Sequence, residues 1–231
     1  MPRSRCLPLA LLVLFPLISS SARASEVSGR IEMPPACAPE ISPAVVWLEP
    51  RDGSPEPSRE GESQTALVVN QKMLQFRPRV QALQVGRAIT FTNADSERHN
   101  IHVQGPGVNF NQTIAPGETA RFTPEKPGVL HLFCDIHLHM RGFAIVSDGP
   151  WITTCDRTGA YRLKDVPEGR YTLHVWHELG DPLAKPIEVQ SGANALGTIA
   201  VKGPEITPSR SVVKAKVEPW PEVVDRVSVL L

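Results

Sequence analysis

The sequence is short of most features that would mark a helical, nucleic-acid-binding or membrane-spanning chain. Its 231 residues carry no surplus charge, 24 Lys and Arg standing against 24 Asp and Glu, so there is no basic field for a phosphate backbone. Aromatics are sparse, with seven Phe, four Trp and two Tyr, which leaves little for a stacking surface. No apolar stretch is long enough to span a bilayer. There is no nucleophile elbow, Walker loop, dinucleotide fingerprint or His-Glu-x-x-His motif, and the expectation is a protein that is not an enzyme. Turn formers are abundant instead. The 23 Pro and 16 Gly are too many for a helical bundle and suit turn-rich β structure.

The first segment reads as an address. Arg3 and Arg5 precede an apolar run from Leu7 to Ile18, followed by three serines and Ala22-Arg23-Ala24. A positive start, a short apolar core and a small-x-small site predict a signal peptide over residues 1–24, cut after Ala24. The mature chain would then hold 207 residues, with 21 basic against 24 acidic side chains, a net charge of −3. It would be exported and periplasmic. Of four Cys, Cys6 leaves with the signal, and Cys37, Cys134 and Cys155 remain. In an oxidising compartment an odd cysteine needs an occupation.

Residues 25–50 hold two strand-like runs, and 51–65 are charged and rich in Pro, Gly and Ser, as a linker would be. From residue 66 to 148 short β-type runs alternate with turn signals: ALVVNQKML, RAITFTNAD, IHVQ, ETARFTP, GVLHLFC and GFAIVSD. Residues 149–202 add two strands around Val166-Pro167-Glu168-Gly169 and two more at KPIEVQ and ALGTIAV. Residues 203–231 form a tail with weak periodicity. The expected fold class is all-β.

One constellation carries chemistry. Cys134, His137 and Met140 share a loop, and His99 must arrive from another strand. A thiolate, two imidazoles and a weak axial thioether make up the donor set of an electron-transfer copper site, one copper ion per chain. A zinc set of Cys134, His99, His137 and His139 is the alternative, which leaves Met140 without a role. His102 lies three residues from His99 and His131 three from Cys134, odd offsets that turn both to the opposite strand face. His174 and His177 read as structural imidazoles, and Asn111-Gln112-Thr113 is formally a glycosylation sequon.

Residues 66–148 resemble a cupredoxin of the plastocyanin and amicyanin type. The resemblance runs through Phe76-Arg77-Pro78, GRAITFTNAD, His99-Asn100, Pro116-Gly117-Glu118-Thr119 and GVLHLFCDIHLHM, with a short Cys-x2-His-x2-Met loop. It implies a Greek-key sandwich with His99, Cys134, His137 and Met140 as copper ligands. Asn100 would tie the two ligand loops together. Relatives often carry Pro where Leu138 stands here.

Residues 150–201 resemble a carboxypeptidase-regulatory-like, transthyretin-like sandwich through DRTGAYRLKDVPEGRYTLHVWHE from Asp156 to Glu178, and the first two strands of such a fold are similar to VSGRI and AVVWL ahead of the cupredoxin segment. This resemblance implies a cupredoxin inserted into one split sandwich. Cys37 and Cys155 would then fall in the same domain and pair as a disulfide. The whole pattern resembles bacterial exported plastocyanin-like proteins labelled methylamine-utilisation proteins. The implied role is a periplasmic one-electron carrier with redox-protein partners, with copper storage or delivery, or an accessory subunit of a redox enzyme, as alternatives. The mildly basic 66–148 segment, eight basic against six acidic residues, would offer Leu138, His139, Met140 and Arg141 as a docking rim beside His137.

Overall fold

The computed structural model describes residues 25–33, 42–51, 54 and 66–203, which form sixteen β-strands and no helix. The expected signal peptide, Cys37, most of the linker and the tail beyond residue 203 lie outside the described residues. Among the described residues no helix is long and apolar enough to cross a membrane.

Strands from both ends of the described chain build one sandwich. In its first sheet β1 (Ser25–Glu32) lies between β13 (Ala160–Val166), which runs antiparallel to it, and β16 (Ala193–Ala200), which runs parallel. In the second, β2 (Val45–Pro50) pairs antiparallel with β12 (Ile152–Thr154) and β14 (Gly169–Trp176), and β15 (Leu183–Val189) completes the edge. Alternation decides what faces inward. Along β14, Tyr171, Leu173 and Val175 enter the core, while Thr172, His174 and Trp176 face out. Val27, Leu48 and Leu163 complete this core from the other strands.

The chain between β2 and β12 forms a second sandwich with a core of its own. One sheet runs in the order β4 (Phe76–Arg77), β3 (Leu67–Gln71), β6 (Ile89–Asn93), β9 (Thr119–Phe122). The other runs β5 (Val80–Gln84), β11 (Arg141–Ser147), β10 (Gly128–Phe133), β7 (His99–Gly105), β8 (Val108–Ile114). Val69, Phe91, Ile101, Leu130 and Leu132 pack between the sheets. Of these strands, β4, β5 and β8 were absent from the sequence expectation, as was β12 in the first sandwich. β5 is buried on both faces and shows no alternation; β8 is mostly exposed and polar.

The two sandwiches meet along an apolar seam. Val45, Val80 and Ile145 are buried there, flanked by Trp47, Phe143 and Trp176. The Phe143 and Trp176 rings lie 5.0 Å apart. Arg79, just before β5, lies over Phe143 at 5.7 Å and donates two hydrogen bonds across the seam to Glu178, Nε to Oε1 at 3.0 Å and Nη2 to Oε2 at 2.6 Å. Truncating Arg79 to Ala leaves a half-buried carboxylate without its cation. The expected loss is about 1–3 kcal/mol, discounted for partial solvent access, and calorimetry should show the two sandwiches unfolding less cooperatively.

His177 is a structural imidazole with an assignable tautomer. Its Nε2–H donates to the Ser42 carbonyl at 2.9 Å, and its Nδ1 accepts from the Leu179 N–H at 3.1 Å. Burial pushes its pKa below the ordinary value, against the opposing pull of the Ser42 carbonyl and Glu178. A base whose folded pKa is depressed binds its proton more readily when unfolded. Its contribution is therefore intact above the unfolded value near 6.5 and is lost as pH falls through the folded value. Denaturation between pH 8 and 5 should show stability declining below about pH 6.5, and a His177→Gln variant should lack that slope.

Candidate metal centre

His99 opens β7 and is fully buried; Cys134 follows β10, and the residues up to Met140 form a tight loop leading into β11. The loop closes on itself. The Met140 N–H donates to the His137 carbonyl at 2.9 Å and the Cys134 N–H to the Met140 carbonyl at 3.3 Å. Three donor atoms converge at this end of the sandwich: the nitrogens of His99 and His137 and the Cys134 sulfur all lie within 4.8 Å of one another. His99 Nδ1 is 3.1 Å from His137 Nδ1, which is 3.8 Å from Cys134 Sγ. Donors bound to one transition metal at about 2.0–2.3 Å lie roughly 3–4 Å apart, so the spacing fits a single ion.

The protonation pattern argues the same way. His99 Nε2 lies 2.9 Å from Asp95 Oδ2, and because a carboxylate only accepts, Nε2 carries the hydrogen and Nδ1 keeps its lone pair. That lone pair faces His137 Nδ1, an arrangement that needs a proton or a cation between the rings. Asp95 is itself anchored, accepting from the Met73 N–H at 2.6 Å and the Leu74 N–H at 2.9 Å. Burial raises its pKa, but the Leu74 and Met73 N–H groups and His99 outweigh that and hold the carboxyl below its ordinary value. It therefore stays charged beside His99.

Met140 is 1 % exposed and shares the apolar cluster of Cys134, Phe76 and Leu132. His139 is exposed and is not one of the three converging donors, so the zinc set is not assembled. Its ring lies 6.3 Å from that of His137. Asn100 joins the two ligand-bearing segments: its N–H points at Cys134 Sγ at 3.3 Å, and its Oδ1 accepts from the Asp135 N–H at 3.3 Å.

Sequence reasoning missed Asp95, Asn111 and Asp135. Asn100 Nδ2 donates to Asn111 Oδ1, Asn111 Nδ2 donates to Asp135 Oδ2 at 3.0 Å, and Asp135 Oδ1 lies 3.0 Å from His102 Nδ1. His102 holds the Asp135 carboxyl below its ordinary value, with Asn111 adding to this against desolvation. His102 thus faces away from the donor cluster, and His131 stacks on Phe133 at 5.9 Å. Asp95, four residues before His99, offered the one sequence signal. At the far sandwich His174 stacks on Trp47 at 4.8 Å, and its Nε2 is 3.0 Å from a Glu49 oxygen without an aligned hydrogen bond. Cys155 is buried and makes no disulfide with a described residue, and its expected partner Cys37 lies outside the described residues.

A two-sheet β-sandwich with a buried His, a Cys and a second His converging at one end defines a metal-site β protein. Residues 44–146 match the family model described as a cupredoxin-like domain. The match begins at Ala44 and so takes in β2, which pairs within the other sandwich. Solved structures of amicyanin variants are similar to this chain. One, a methionine-to-alanine variant in the Cu(I) form, is 19% identical over 43% of this chain and 98% of its own, with a TM-score of 0.34. Another, the oxidized state of a proline-to-alanine variant, is 20% identical over 43% of this chain and 98% of its own, also at 0.34. No curated protein matches the chain.

Proposed function

We propose that the protein is an exported, periplasmic one-electron carrier whose copper ion would be held by His99, Cys134 and His137, with the Met140 thioether as a further donor. The observation that carries this reading is the convergence of two imidazole Nδ1 atoms and one sulfur on a shared point, within 4.8 Å of one another. A soft thiolate with two imidazoles and a neighbouring thioether suits copper better than zinc, and copper bound there would supply a one-electron couple near the surface. The chain's own residues do the rest. Asp95 fixes the His99 tautomer, Asn100 braces Cys134, and the Cys134–Met140 backbone bonds hold the loop rigid. A rigid donor set changes little between oxidation states, which keeps the barrier to electron transfer low.

His137 is half-buried at the loop, and Ile136 and Leu138 beside it are 51 % and 75 % exposed. Such an apolar rim suits brief contact with a periplasmic redox protein. Export rests on the composition of residues 1–24, and a Cys37–Cys155 disulfide would leave Cys134 as the single thiolate for the metal. Adding Cu(II) to the mature chain should produce an intense visible thiolate-to-copper band and a reversible couple. A colourless protein that holds Zn(II) in preference would overturn the proposal. Rapid loss of copper to a chelator without a stable couple would point to storage or delivery.

A further inference from the structure

On the side of the ligand loop the seam between the sandwiches opens into a cleft of about 630 Å³. One wall is formed by the Arg77–Arg79 turn and the His139–Arg141 end of the ligand loop. The other is formed by Cys155, Asp156 and Arg157. Four arginines thus line it against one carboxylate. Arg79 is matched by Glu178. The other three have no carboxylate partner among the described residues. Arg77 donates to Gln75 Oε1 at 3.0 Å, a neutral oxygen, and Arg141 rests over the Phe133 ring at 5.6 Å.

Asp156 is the one anion in the lining and stays charged, since its Thr158 and Ala160 donors hold the carboxyl below its ordinary value. Its Oδ1 accepts from the Thr158 and Ala160 N–H groups and from the Thr158 hydroxyl, at 2.8, 3.0 and 2.7 Å. As a thiol, Cys155 adds no negative charge, since burial and the neighbouring Asp156 push it up to about 12, so Asp156 is the one negative charge on that wall. Like charges gathered around one concavity repel, and a bound counter-ion removes the cost. Ligand sites fall preferentially at domain boundaries and occupy about 300–1,000 Å³, and guanidinium groups recognise carboxylates and oxyanions with paired hydrogen bonds.

We infer that this cleft is a binding site for a small multivalent anion, a di- or tricarboxylate or an oxyanion, held between Arg77 and Arg157 against the outer side of the ligand loop. The enclosing walls favour a small molecule over a flat protein surface. The site uses both sandwiches, which gives the second one a direct part in recognition. It does not depend on the metal being copper.

The test titrates the metal-free, isotope-labelled mature chain with citrate and with hexacyanocobaltate(III), a trivalent anion inert to redox, and follows backbone amides by NMR. Saturable shifts confined to residues 77–79, 139–141 and 155–157 are expected. A double variant, Arg77→Ala with Arg157→Ala, should bind about tenfold more weakly or worse with unchanged thermal unfolding, as loss of two charge-assisted contacts requires. Shifts that grow without saturating, that spread over other arginines, or that persist in the double variant would overturn the site. So would an oligo-aspartate peptide binding more tightly than citrate, which would make the surface a protein-docking face. Failure of the copper reading leaves this titration unchanged, because no copper is used.

Discussion

Replacing Cys134 with serine is expected to abolish the intense visible band and the reversible couple of the copper-loaded protein while leaving the fold in place. A serine hydroxyl is a hard donor that stays protonated at neutral pH, whereas the Cys134 sulfur is soft and receives the Asn100 N–H at 3.3 Å. The serine oxygen would still accept from that N–H. The cost to stability should therefore be modest, about 1–2 kcal/mol for placing a hydroxyl in an apolar cluster. Visible absorption and voltammetry on the variant, beside its thermal unfolding, separate the two effects. A variant that keeps the band at full intensity would show that Cys134 is not the ligand.

Converting Gly159 to alanine should be the most destructive such change among the described glycines. Gly159 has φ +81°, and a Cβ there would lie 2.1 Å from the Ile31 carbonyl oxygen. The same residue accepts the Ile31 N–H through its own carbonyl at 2.8 Å, so the strand cannot step aside without breaking that bond. Left-handed strain of about 1–2 kcal/mol adds to the clash, and a loss of more than about 3 kcal/mol is expected. Ile31 belongs to the core of the first sandwich, which should be the half that unfolds early in denaturant. The donor cluster lies in the other core and should keep its copper band until later in the titration. A midpoint shifted by less than about 2 °C would contradict this geometry.

Most of the donor set was legible because it is local. Cys134, His137 and Met140 sit on one seven-residue loop, and the spacing alone puts them together. The outward aim of His102 was legible too, since strand alternation needs nothing but parity. The supporting network was not. Asn111 reaches Asp135 and Asn100 only because β7 and β8 pair with His102 opposite Asn111, a register that no local pattern specifies. β8 itself, VNFNQTI, is polar and largely exposed and so lacks a strand's apolar signature. β5, VQALQ, hides for the opposite reason. One of its faces packs in the sandwich core and the other on the seam, so its burial does not alternate.

The sequence by itself determined the all-β class, the turn-rich composition and which residue types the candidate metal cluster holds, because each rests on residue type and local pattern. It also marked the even charge count, 24 against 24, that excludes a broadly basic surface. Only the tertiary structure decided where charge gathers. Arg77, Arg141 and Arg157 are far apart in the chain and meet at one cleft because two sandwiches close over a shared seam. Likewise Asp95 meets His99, and β1 and β2 pair with strands that follow residue 150, through contacts set by packing across the fold. Long-range pairing depends on which apolar faces bury one another, and that is a property of the whole chain rather than of any segment.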